Sequence, residues 1–201
     1  MEKMKKKNTI IRDVNIVDVI LIDHRLINEY IETLSDENTT KSNKLKVAKE
    51  FLALTLKHSQ AEKKILYSAL QNDEYFQPFV LKAEIEYKVI EDKIKRLRPR
   101  VIRSKIFLEG MEAELNVLVG LVRNHLNNEE NELLNQMNNL LDKKVLVELG
   151  EKFMKNRKMT SADFDDYPHV RDELILWKDE VQKISSKFLS KIDKYVENLK
   201  H

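Results

Sequence analysis

No cysteine occurs in the 201 residues, so neither a disulfide framework nor a thiolate metal site is possible. Glycine and proline number three each. So few chain breakers, beside abundant Leu, Ile, Val, Lys and Glu, exclude a turn-rich β architecture and predict long helices. Gly110, Gly120 and Gly150 cannot form a phosphate-cradling glycine loop. No serine has a setting that suggests a nucleophile, and a thiol nucleophile is excluded outright. Long apolar runs are lacking as well. Met1 to Asn8 is polar and lysine-rich, and the apolar run after it is interrupted by Asp13, Asp18 and Asp23. That pattern fits neither a signal peptide nor a membrane span, so a soluble, cytoplasmic protein with no membrane partner is expected.

Neither acidic nor basic residues are in large excess, and the formal net charge is only +2. The basic run Lys93, Lys95, Arg96, Arg98, Arg100, Arg103 and Lys105 reads as a solvated helix end rather than a phosphate-binding surface. No nucleic-acid partner is expected.

What is present is a helical pattern. Apolar residues recur at three- and four-residue spacing, which predicts amphipathic helices over about 16–34, 45–71, 78–98 and 101–139. Pro78 suits a first helical turn, Pro99 is expected to end or kink the third helix, and Gly110 or Gly120 to bend the fourth. A shorter helix is expected over about 143–158, then a polar loop and a last helix over about 170–199. The fold class that follows is all-α, an antiparallel four-helix bundle over residues 14–158 with an additional C-terminal helix. Leu174, Trp177, Val181, Ile184, Phe188, Ile192, Tyr195 and Leu199 give that last helix an apolar stripe. The segment 159–201 is expected to fold back on the bundle or to pair with a second copy as a homodimer.

Two of the five histidines start the same element: His58 precedes Glu62, and His125 precedes Glu129, each by four residues. On a helix that spacing puts imidazole and carboxylate on one face, one turn apart. His58 and Glu62 share the stripe of Phe51, Leu54 and Ile65, while His125 and Glu129 share that of Met111, Leu115, Leu118 and Val122. His24 lies on the stripe of Val17, Ile20, Leu21, Ile27 and Ile31. Three histidines and two glutamates thus take core positions, where a lone charged carboxylate is costly. Together they ask for a cation, and the mixed imidazole and carboxylate set suits iron or manganese. His169 and His201 fall in polar surroundings and are expected at the surface.

Asp23-His24, then His58-Ser59-Gln60-Ala61-Glu62 running on to Leu66-Tyr67, then His125-Leu126-Asn127-Asn128-Glu129-Glu130, resemble the hemerythrin-like, or HHE cation-binding, domain. The resemblance covers about residues 14–158. It implies a four-helix bundle around a non-haem di-iron centre, oxo- or hydroxo-bridged, with terminal histidines and bridging glutamates. It also implies a small ligand such as dioxygen, peroxide or nitric oxide. The family's third helix normally supplies a further histidine in an Glu-His-x-x-Ile context. Here Glu86-Tyr87-Lys88-Val89-Ile90 puts Tyr87 there, on the stripe of Val80, Ala83, Ile90 and Ile94. Tyr87 is expected beside the metal, either as a phenolate ligand or hydrogen-bonded to a bridging glutamate, with Glu84 or Glu86 as substitute carboxylates. Loss of a neutral donor should favour the ferric state, which points to a sensing or redox-active member rather than an oxygen carrier. Two rivals stand beside this reading. One is a di-iron oxidase or peroxidase, marked by turnover. The other is a metal-free helical interaction module, marked by indifference to iron.

Overall fold

The computed structural model describes residues 15–157. Helix α1 (Ile16–Ser35) is started by Asn15, whose side chain accepts from the Asp18 amide. Thr40 caps the second helix in the same way through the Asn43 amide. That helix, α2, runs as Lys41–Ala61, widens into a π-helical turn at Glu62–Tyr67, and closes with Ser68–Leu70. The Asp73 carboxylate then accepts from the Tyr75 and Phe76 amides and turns the chain into α3 (Gln77–Arg103), with Pro78 in its first turn. Helix α4 has the same composite build as α2: Glu109–Asn128, a π-helical turn Glu129–Leu134, and Asn135–Leu140. Helix α5 is Lys143–Arg157.

Helices α1 to α4 form a ring in which each packs on its chain neighbour and α1 closes on α4. Their antiparallel sense is visible between α3 and α4, where Lys82 pairs with Glu132, Glu86 with His125 and Arg100 with Glu114. Ile20, Ile27, Ile31, Phe51, Leu52, Ile94 and Leu118 fill the interior with no exposed surface. Each buried side chain of this size contributes about 1.5–3 kcal/mol of transfer free energy. Helix α5 lies against α1 and α2. It covers a second face of α1, so α1 is buried over a wide arc that takes in Asp23 as well as His24.

Pro99 does not end the third helix, which continues to Arg103 and breaks instead between Ser104 and Leu108. The proline sits on the solvent side, so the carbonyl it leaves unbonded is open to water, while Leu97 and Val101 keep the helix on the core. The fourth helix departs from α geometry at Glu129–Leu134, not at Gly110 or Gly120. Its start also falls at Glu109, because the break after Arg103 takes up the residues before it. The basic run from Lys93 to Lys105 is exposed, with Lys95 and Arg100 paired to Glu91 and Glu114. Among the described residues there is no strand, and no helix is long and apolar enough to cross a membrane. The expected last helix with its apolar stripe, the pairing through it, His169 and His201 lie outside the described residues.

Candidate metal centre

The histidine and glutamate of each HxxxE element sit at the junction between an α-helix and a π-turn. The amide of Glu62 is shared between the carbonyls of His58 and Ser59, and that of Glu129 between those of His125 and Leu126. The wider turn inserts one residue into the inward face. After Glu62 both Leu66 and Tyr67 point inward, and after Glu129 both Leu133 and Leu134 do. Ile65, assigned to the inner stripe by α periodicity, is therefore rotated to a half-buried position. π-turns cluster at functional sites because they re-aim a side chain without breaking the helix.

His24, His58, Glu62, His125 and Glu129 are all buried, each with 3% or less of its surface exposed. One ligand atom from each of His24, His58, Glu62 and Glu129 can be chosen so that all four lie within 4.8 Å of one another. The donors alternate along a row. His58 Nε2 is 2.9 Å from Glu62 Oε1, and His24 Nε2 is 3.8 Å from the same oxygen. His24 Nε2 is 3.5 Å and His125 Nε2 3.8 Å from Glu129 Oε2.

Each imidazole is held from behind by a carboxylate on its other nitrogen. His58 Nδ1 meets Asp23 Oδ2 at 3.1 Å, His24 Nδ1 meets Glu130 Oε1 at 2.8 Å, and His125 Nδ1 meets Glu86 Oε2 at 3.0 Å. Such a contact, with the proton on Nδ1, leaves the Nε2 lone pair facing the cluster, the arrangement usual for metal-binding histidines. The Asp23 carboxylate also accepts from Arg157 Nε at 2.9 Å. Glu86, off the inner stripe of α3, thus serves His125, and its other oxygen accepts from Asn128.

The Nε2 atoms of all three histidines, both oxygens of Glu62 and Oε2 of Glu129 make no hydrogen bond. Six buried polar atoms without partners in one place are costly by about 1–3 kcal/mol each. Bound metal would satisfy these atoms, so the residues present fit a metal. The ionisation of the cluster agrees. Burial alone would raise the Glu62 pKa, but the neighbouring charges of protonated His58 and His24 outweigh it and hold Glu62 well below the usual carboxylate range. Burial likewise opposes protonation of His58, yet Glu62 and Asp23 push its pKa up to about 9. Protons on the imidazoles are the alternative counter-charge to a bound cation.

Tyr87 is buried on α3 with its ring edge-on to His125, centroids 5.6 Å apart, but its hydroxyl donates to the backbone carbonyl of Thr55 at 2.7 Å. Burial holds its phenol proton well above the ordinary range. The tyrosine that does reach a cluster glutamate is Tyr67, which donates to Glu129 Oε1 at 3.0 Å. No α-helical stripe signals it, because only the π-turn brings it inward. Glu84 remains half-buried on α3. Between α3 and α4 a cleft lined by Phe79, Ala83, Glu86, His125, Glu129 and Leu133 opens beside the cluster.

No curated protein and no solved structure matches the chain. The family model of the hemerythrin HHE cation binding domain matches residues 15–137, which span α1 through the first residues after the second π-turn. The match covers more than half of the chain and contains every histidine and glutamate of the buried cluster, and the chain therefore belongs to the hemerythrin HHE cation-binding family.

Proposed function

We propose that this chain is a non-haem di-iron protein that binds or senses dioxygen, peroxide or nitric oxide, with His24, His58, Glu62, His125 and Glu129 as the ligands. The observation that carries the reading is the row of converging imidazole and carboxylate atoms, buried and without hydrogen-bond partners. Hard carboxylate oxygens mixed with imidazole nitrogens suit iron better than zinc or copper, and two carboxylates among three histidines suit a pair of ions. Iron bound there would supply one-electron chemistry and an open position for a small ligand.

The protein's own part is to orient and enclose. Asp23, Glu130 and Glu86 fix the three rings, Tyr67 holds one oxygen of Glu129, and the aliphatic layers above and below exclude water. Tyr87 stays protonated beside His125 and narrows the site rather than ligating as a phenolate. The narrow cleft between α3 and α4 favours a ligand of two or three atoms over an organic substrate. The third helix adds no imidazole, which leaves a donor set relatively rich in anionic oxygen. That composition stabilises the ferric state, so sensing or redox work is favoured over oxygen carriage.

The test is elemental analysis of the purified chain before and after anaerobic loading with ferrous iron. Close to two irons per chain is expected, falling sharply in His58→Ala and Glu62→Ala. No metal under either condition would end the reading, and a stable oxygen adduct that releases its ligand on degassing would overturn the choice of sensor over carrier.

A further inference from the structure

The family match ends at residue 137, yet α5, which begins at Lys143, places two side chains against the surroundings of His58. Phe153 packs edge-on to the His58 ring with centroids 6.0 Å apart, and it has no exposed surface. Arg157, one turn on, grips Asp23 at two points: Nε to Oδ2 at 2.9 Å and Nη2 to Oδ1 at 3.4 Å. Asp23 Oδ2 is the atom that also meets His58 Nδ1.

The three carboxylates behind the histidines differ in one respect that explains this. Glu130 and Glu86 keep 35% and 23% of their side-chain surface exposed, so water can solvate their charge. Asp23 has none. A fully enclosed carboxylate needs a cation to remain a charged acceptor, and Arg157, itself 3% exposed, supplies it. The two-point contact also fixes the plane of the carboxylate, which a single charge would leave free to turn.

We propose that Arg157 is a positioning residue of the metal centre, holding the His58 ring through Asp23 so that Nε2 faces the cluster, and that α5 is thereby part of the site. The proposal rests on the metal-binding reading above and deepens it by adding a helix beyond the matched domain. Loss of such a partner typically costs metal affinity about tenfold to a hundredfold.

The experiment uses the full chain and five variants: Arg157→Met, Arg157→Lys, Asp23→Asn, the double variant of Arg157→Met with Asp23→Asn, and Leu146→Ala as a packing control on the same helix. Ferrous iron is titrated against a competing chelator, and the absorption spectrum of the oxidised, iron-loaded chain is recorded. Arg157→Met should weaken iron binding by about tenfold or more and alter the spectrum. Arg157→Lys should recover part of both, and combining Arg157→Met with Asp23→Asn should be no worse than Asp23→Asn alone. Leu146→Ala should lower the melting temperature yet keep affinity and spectrum. Wild-type affinity and spectrum in Arg157→Met would overturn the proposal, as would equal losses in Leu146→Ala. If the wild-type chain takes up no iron, the functional reading fails instead. Nitrogen-15 NMR of the metal-free chain then decides the positioning role alone: an unchanged His58 Nδ1 proton in Arg157→Met overturns it, and a lost or fast-exchanging one supports it.

Discussion

Tyr67 donates its hydroxyl proton to Glu129 Oε1 at 3.0 Å, joining the π-turn of α2 to the π-turn of α4 across the bundle interior. Both partners are buried, and the bond leaves Glu129 Oε2 as the oxygen that faces His24 and His125. Burial, reinforced by the negative charges of Glu129 and Glu62, holds the Tyr67 phenol proton well above its usual range. Tyr67 is thus a fixed donor. Replacing Tyr67 by Phe keeps the ring and removes only that bond. The expected loss is about 1.5–3 kcal/mol, the range for a hydrogen bond to a charged group, read from chemical denaturation of the metal-free chain. Iron should still bind at the same stoichiometry but more weakly. Unchanged stability and affinity would show that the bond does not hold Glu129.

Metal should stabilise the fold by mass action. With free ferrous iron at one hundred times its dissociation constant, the gain is about 2.7 kcal/mol per site, visible as a rise in melting temperature under anaerobic conditions. Glu129→Gln keeps the size of the side chain but removes its charge, and the iron-dependent rise should shrink to a small fraction. A full rise in Glu129→Gln would remove that carboxylate from the ligand set.

Stability and metal affinity should respond to pH in opposite senses. The His58 pKa is raised from 6.5 to about 9 in the fold, against the pull of burial, chiefly by Glu62 and Asp23. His24 is raised as well, its burial outweighed by the carboxylates of Glu129, Glu130 and Glu62 around its ring. A raised folded-state value means that these protons stabilise the metal-free chain fully below about pH 6.5, and that this contribution is lost as pH climbs through about 9. Metal needs the same Nε2 atoms unprotonated, so its affinity should climb over that window. Melting curves of the metal-free chain from pH 6 to 9, set beside iron titrations, check both. A flat metal-free profile would show that the two histidines are neutral without metal.

Pro99 lies inside α3 and removes one helical hydrogen bond on the solvent side. Pro99→Ala should therefore raise stability, by about 1 kcal/mol or more, less than the roughly 3 of a mid-helix site because the helix ends four residues later. Iron content should not change. A loss of stability would mean that proline's stiffening of the unfolded chain dominates at this position.

Much of this arrangement was legible in the sequence, and particular residues show why the rest was not. The stripes of α2 and α4 pointed His58, Glu62, His125 and Glu129 inward because α periodicity holds up to each glutamate. It fails immediately after, and so the α stripe puts Ile65 on the inner face and gives Tyr67, which enters only through the family resemblance, no inward position. Asp23 looked like an interruption of an apolar run because nothing local announces that α5 will cover that side of α1. Its partner Arg157 lies 134 residues away. Tyr87 is buried on α3, but the direction of its hydroxyl depends on the Thr55 carbonyl of α2, which no spacing within α3 encodes. Pro99 carried a strong local signal for a helix end, which the burial of Leu97 and Val101 on either side overrides.

The two π-turns carry a further consequence. Each amounts to a single surplus residue accommodated inside an otherwise ordinary helix, so the stretches before and after it are about 100° out of phase. Deleting one residue from Glu62–Tyr67 or Glu129–Leu134 would restore regular winding and swing everything downstream to a new face. In α2 that rotation would carry Tyr67 and Leu70 away from the interior. The two helices can thus tolerate many substitutions along their outer surface, but their length between histidine and terminus is as constrained as the identity of any ligand.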